Sequence, residues 1–218
     1  MNSSEEIFFK QMEVGMMQNF IYFIGSPSSR EVMVVDPAWE VDRIIEEAKK
    51  EELKIKGALI THTHFDHVNG VEEFLEQFPD AKIYVHKQES RFLPKESANI
   101  VAVSAADKVT LGDLEIQFIH TPGHTPGSQC FLVRDKLVSG DTLFIGACGR
   151  CDLPGGNPEQ MYHSLTQKLM KLPEETVIYP GHNYADSPSS TLKEQKQGNP
   201  FMKFQSLSDF LEFMGRRK

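Results

Sequence analysis

The chain has 218 residues, 39% of them hydrophobic, and a formal net charge of −8, which suits one domain over residues 1–218 with a substantial core. Its Lys and Arg residues are scattered, which argues against nucleic acid or an anionic membrane as a partner, since both want clustered positive charge. The start, Met1-Asn2-Ser3-Ser4-Glu5-Glu6, has no basic segment leading into an apolar one, and no apolar run approaches the roughly 18 residues of a membrane span, so a cytoplasmic protein is expected.

Residues 20–24 and 32–35 read as a strand pair reversed at Gly25-Ser26-Pro27-Ser28-Ser29. A helix follows over 41–50, where Ile44, Ile45 and Ala48 share a face and Glu46, Glu47, Lys49 and Lys50 point outward. The apolar run 57–60 is a short buried strand, and the spacing of Val71, Phe74, Leu75 and Phe78 predicts a helix over 71–78, stopped by Pro79. Residues 83–85, 115–119, 130–133, 136–138 and 176–179 are further strands; 158–170, 191–197 and 206–214 are further helices. Two β-rich halves with helices at the ends of each point to a layered α/β sandwich.

The densest chemistry lies in Thr61-His62-Thr63-His64-Phe65-Asp66-His67, directly after the 57–60 strand. Histidine and aspartate are the ligands of zinc and of non-haem iron. In an extended segment His62 and His64 point one way while Asp66 and His67 turn toward a second place, so two metals are plausible. Other ligand types recur at strand ends: His124 in Thr121-Pro122-Gly123-His124-Thr125-Pro126-Gly127, Asp141 after Val138-Ser139-Gly140, and His182 after Tyr179-Pro180-Gly181. Each alone is ordinary turn chemistry; the four corners together suggest a metal centre.

On these motifs, together with Gly140-Asp141-Thr142-Leu143-Phe144, the sequence resembles the metallo-β-lactamase superfamily. The resemblance implies an αββα sandwich of two β-sheets flanked by helices, with metals at one edge. Carried over, it gives His62, His64 and His124 to a first metal, Asp66, His67 and His182 to a second, and Asp141 to both. Within the superfamily, Gly140 to Arg150 and Gly181-His182-Asn183-Tyr184 are similar to the glyoxalase II group, the hydroxyacylglutathione hydrolases, and the short bacterial members also share Asn199-Pro200-Phe201. That likeness implies substrate contacts from Arg150 and Tyr184. The stretch Cys148-Gly149-Arg150-Cys151-Asp152 is closer to the persulfide dioxygenases, which share the fold and use one iron.

Two divalent ions, zinc before iron, can hold a bridging water and lower its pKa from about 15.7 toward about 7, giving a hydroxide nucleophile. Asp66 would orient it, and a thiolate, with a pKa near about 8.5, departs with little protonation, so a thioester of a small thiol suits the site. The alternative is a single Fe(II) held by His62, His124 and Asp141, with open positions for oxygen and a persulfide sulfur. Cys148 and Cys151 read as ordinary loop cysteines, His86, His120 and His163 as structural or solvated, and Trp39 as core or lid. Arg150 is open between a local ion pair with Asp152 and a substrate carboxylate.

Overall fold

The computed structural model describes residues 6–93 and 98–215; residues 1–5, which carry most of the reading of the chain start, lie outside it. It divides into two compact units, Met1–Gln117 and Phe118–Lys218.

In the first unit, Phe8–Val14 (β1) and Asn19–Gly25 (β2) form a hairpin, and Glu31–Val35 (β3) lies antiparallel on the other side of β2. Lys54–Leu59 (β4), Lys82–His86 (β5) and Ile100–Val103 (β6) then add in parallel, giving the order β1-β2-β3-β4-β5-β6. Parallel neighbours need crossovers, and here Val41–Lys50 (α1), Phe65–Val68 (α2) and Val71–Gln77 (α3) supply helices between them. Helix α1 has the expected limits and buries Val41, Ile44 and Ala48. They pack with Ile21, Phe23, Val32, Val34, Ala58, Ile60 and Ile83, the alternate residues of neighbouring strands. Strand β1 escaped the sequence reading because it is an edge strand that mixes Lys10, Gln11 and Glu13 with its apolar residues and is only half-buried. Strand β4 begins earlier than expected, its exposed Lys54 and Lys56 flanking Ile55 before the buried run.

The second sheet has the order β14-β13-β10-β9-β8-β7. Its strands are Lys108–Leu111 (β7), Leu114–His120 (β8), Gln129–Val133 (β9), Lys136–Gly140 (β10), Val177–Pro180 (β13) and Ser190–Thr191 (β14). A small hairpin, Leu143–Phe144 (β11) with Ala147–Cys148 (β12), stands apart. Pro158–His163 (α4), Leu192–Gly198 (α5) and Leu207–Gly215 (α6) complete the second unit, whose core gathers Cys130, Leu137, Met161, Leu165, Ile178, Leu192, Phe201 and Phe210. Two mixed sheets flanked by helices agree with the expected fold class.

The helix expected over 158–170 changes character midway: α4 ends at His163, a π turn runs Ser164–Lys168, and a 3₁₀ turn ends at Lys171. Ser164 sends its hydroxyl to the Pro122 carbonyl (2.7 Å) and Thr166 caps Tyr162 O (2.7 Å), interactions that accompany the altered ladder. Helix α5 starts where Thr191 and Glu194 form a capping box.

Asn199, buried and 1% exposed, ties the C-terminal region to the small hairpin. Its amide donates to Phe144 O (3.2 Å), Ala147 O (2.9 Å) and Gln195 Oε1 (3.1 Å), while Gln195 Oε1 accepts from Gly146 N (2.9 Å). Asn199→Ala removes this donor from the Phe144 and Ala147 carbonyls and is expected to destabilise the protein by about 1–3 kcal/mol, read as a lower urea midpoint by circular dichroism. An unchanged midpoint would mean that the hairpin holds itself.

Candidate metal centre

Parallel pairing sets out the candidate ligands within each unit. In the first, β3 and β4 run side by side with Val35 opposite Leu59, so Asp36 and Thr61 emerge together at their C-terminal ends. Asp36 N donates to Leu59 O (3.0 Å) at that edge. In the second, β10 and β13 are parallel with Gly140 opposite Pro180, and Gly181 N donates to Gly140 O (2.9 Å), which brings Asp141 and His182 out as neighbours. An antiparallel partner would have sent its residue to the opposite end of the sheet.

Within the first unit, His64 has extended backbone and Phe65 begins α2, so Asp66 and His67 stand in a single helical turn. Asp36, 2% exposed, organises what surrounds them. Its carboxylate accepts from Thr61 N (2.7 Å), Thr61 Oγ1 (2.6 Å) and His67 Nδ1 (2.9 Å). A carboxylate only accepts, so His67 carries a proton on Nδ1 and keeps Nε2 as the nitrogen for a metal ion. Thr61 has spent its one proton on Asp36 and therefore accepts from His62 Nδ1 (3.1 Å), which keeps His62 Nε2 for the same use. His62 Nε2 lies 3.1 Å from His64 Nδ1, and His67 Nε2 lies 3.4 Å from Asp66 Oδ2. Glu89, 1% exposed, accepts from the backbone N of Thr63 (3.1 Å) and from its hydroxyl, bracing the residue between the two histidines.

Within the second unit, His124 Nδ1 donates to Arg150 O (2.7 Å), and this fixes the same tautomer in a third imidazole. Asp141 Oδ2 lies 3.5 Å from His124 Nε2 and 3.4 Å from His182 Nε2. Gly149 is there because a Cβ at that position would fall 1.8 Å from Asp141 O and 3.1 Å from the His124 ring.

These donors fit a metal ion. Ligands about 2.0–2.1 Å from a tetrahedral zinc stand about 3.3–3.4 Å from one another. The four pair distances, from 3.1 to 3.5 Å, sit around that edge length. Among the described residues, the His and Asp groups able to hold a metal ion are drawn from His62, His64, Asp66, His67, His124, Asp141 and His182. Sequence reasoning missed Asp36, Asn19 and Glu89, which ligate nothing in that scheme and support the groups that do. Asp36 carried a signal, since it too follows an apolar strand and is locked by a Pro.

The two expected substrate contacts lie at the surface. Arg150 is spread in a two-pronged pair with Asp152, Nε to Oδ1 and Nη2 to Oδ2 both at 2.9 Å, and this neighbour raises its pKa. Tyr184 stacks flat on His182, ring centroids 4.6 Å apart, with Phe144 against both. All three cysteines are free thiols. Burial, then the Asp152 charge, pushes the Cys151 thiol to about 12, and burial pushes Cys130 to about 11, so neither is a thiolate at neutral pH.

Asp36→Ala orphans three buried donors at a cost of roughly 1–3 kcal/mol each, and it should lower the urea midpoint even in metal-free protein. A loss below about 0.5 kcal/mol would show that water replaces the carboxylate. Gly149→Ala is expected to reduce retained metal after dialysis by displacing Asp141 and His124; full retention would show that the loop has room to shift.

Comparison with known proteins gives these features a lineage. The sequence profile of the metallo-beta-lactamase superfamily matches residues 14–182. The probable polyketide biosynthesis zinc-dependent hydrolase BaeB of Bacillus velezensis is 32% identical, covering 93% of this chain and 89% of its own. The cytoplasmic hydroxyacylglutathione hydrolase of Arabidopsis thaliana is 34% identical over 86% of this chain and 85% of its own, and the human mitochondrial persulfide dioxygenase ETHE1 is 30% identical over 98% and 82%. The crystal structure of ETHE1 from Myxococcus xanthus superimposes with a TM-score of 0.87 at 31% identity, covering 97% of this chain and 91% of that one. The fold, the strand-end ligand corners and the extent of these matches place the chain in the metallo-β-lactamase superfamily.

Proposed function

We propose that this protein is a cytoplasmic metal-dependent hydrolase of thioesters of glutathione or a similar small thiol, working with two divalent ions, zinc in preference to iron. His62, His64 and His124 would hold the first ion, Asp66, His67 and His182 the second, and Asp141 would serve both. The observation that carries the reading is Asp141 Oδ2, one oxygen at 3.5 Å from His124 Nε2 and 3.4 Å from His182 Nε2, one histidine from each proposed set. The family match runs through both compact units, which supports treating residues 1–218 as one working domain.

Bound there, two divalent ions would supply a hydroxide by lowering the pKa of water toward about 7, and would polarise a carbonyl. The chain's own work is to engage Nδ1 of His62, His67 and His124 in hydrogen bonds, so that each ring is already oriented with Nε2 as its ligating atom. Asp66 is assigned to orient the attacking water. The proposed set contains no dedicated general acid, which favours a thiol leaving group over an amine. Arg150 and Tyr184 are assigned to the thiol portion of the substrate.

A second reading, a persulfide dioxygenase with one iron on His62, His124 and Asp141, is favoured by the identity with the human enzyme of that activity. His182 separates the two. In the hydrolase, His182→Ala is expected to leave about one metal per chain and to cost orders of magnitude in turnover of an S-acyl glutathione. In the dioxygenase, the same variant keeps its iron and its oxygen uptake with glutathione persulfide. Metal analysis of the wild type, with both assays run side by side, decides: about two zinc and thioester turnover support the proposal, while one iron with oxygen consumption replaces it. Asp141→Ala is expected to lose both ions; two retained would remove Asp141 from the shared position.

A further inference from the structure

Beside α2, Asp66, Asn19, Trp39 and Asn69 are joined by a chain of hydrogen bonds that the ligand scheme does not use. Asn19 opens β2 and is 1% exposed. Its Oδ1 accepts from the indole Nε1 of Trp39 (2.8 Å). Its Nδ2 donates to Asp66 Oδ2 (2.9 Å) and to the Asp66 carbonyl (3.0 Å). An indole N–H can only donate and a carboxylate can only accept, so the Asn19 carboxamide has one permitted orientation, with its NH₂ toward Asp66.

Trp39 is held in turn. Its backbone sits at φ +61°, a left-handed conformation that a bulky aromatic residue adopts only under constraint. Its backbone N–H donates to Asn69 Oδ1 (2.7 Å), three residues beyond Asp66 on the same turn. Its ring meets Phe65 edge-on, with centroids 6.1 Å apart. On the other side the ring fills the space over Gly15, where a Cβ would stand 2.4 Å from it. The strained conformation is thus fixed from both ends, by groups flanking Asp66 in the sequence and by a hairpin glycine.

We propose that Asn19 is the positioning residue of the Asp66 carboxylate, with Trp39 locking the amide and Asn69 locking Trp39. The oxygen that Asn19 grips is the one 3.4 Å from His67 Nε2, the distance of two ligands on a common ion. Asn19 therefore fixes the carboxylate plane before any ion arrives, and it does so without touching substrate or metal itself. This rests on the reading of Asp66 and His67 as ligands of a second ion.

The protein carries a single tryptophan, so its fluorescence and its one indole N–H resonance report on this ring alone. Metal-free full-length protein is titrated with Zn(II) while both signals are followed and bound zinc is counted. The expected result is a Trp39 response that tracks the second equivalent and not the first. Asn19→Ala should keep the first equivalent, weaken the second by about 10–100-fold and uncouple the Trp39 signal from it. Trp39→Phe, a mild change that frees the amide to rotate, should weaken the second equivalent in the same direction by less, and it carries the test if Asn19→Ala does not fold. A wild type with two equivalents, beside folded variants that bind both with unchanged affinity, overturns the role of Asn19 and leaves the dinuclear reading standing. A wild type that takes up one equivalent overturns both.

Discussion

Metal donors hold an ion best when each side chain is already turned and its ligating atom already chosen, and the buried carboxylate of Asp36 does both for the histidine motif. It takes three hydrogen bonds, and through them it decides which nitrogen of His67, directly, and of His62, by way of Thr61, is engaged away from the candidate metal site. A backbone carbonyl does the equivalent for His124 in the second unit. Burying an ionised group is costly unless its lone pairs are satisfied, and here the same bonds that satisfy Asp36 are the ones that preorganise its neighbours.

That arrangement depends in turn on strand direction. Asp36 reaches Thr61 because β3 and β4 run the same way and stop at the same level, and Asp141 has His182 beside it because β10 and β13 do likewise. The helices make parallel pairing affordable by carrying the chain back along each sheet. Their packing against alternate strand residues fixes the register to which the ligand corners are attached. A one-residue slip in β10 against β13 would bring Gly140 or Thr142 to the place of Asp141.

Much of this was visible in the sequence, and for a physical reason. Helix α1 has 3.6-residue periodicity and charged outer positions, so its limits could be read to the residue. The candidate ligand residues stand out because His and Asp clustered behind buried strands have few other uses. What stayed hidden was whatever depends on a partner far along the chain. Strand β1 exists because β2 offers it a ladder, and the short helix α2 is held by contacts of Asn19 with Asp66 and of Trp39 with Phe65 and Asn69. The π turn after His163 accompanies Ser164 bonding to Pro122, forty-two positions earlier. Asn19 and Asn199 look like any polar residue in a sequence, and only their buried bonds, to Asp66 and to the small hairpin, give them meaning.

The pairing of Arg150 with Asp152 changes what that arginine has to offer. A guanidinium waiting in solvent gains a whole ion pair when an anion reaches it; Arg150 already holds a carboxylate with both prongs at 2.9 Å. An anion that takes the same Nε–Nη2 edge must displace Asp152 and gains only the difference between two similar partners, a small sum at an exposed position where dissolved salt screens both within a Debye length of about 8 Å. On that edge, exchange favours groups that replace a carboxylate in shape and adds little to grip. Raising the ionic strength would loosen the resident pair and the visiting one together, leaving the preference between anions largely as it was.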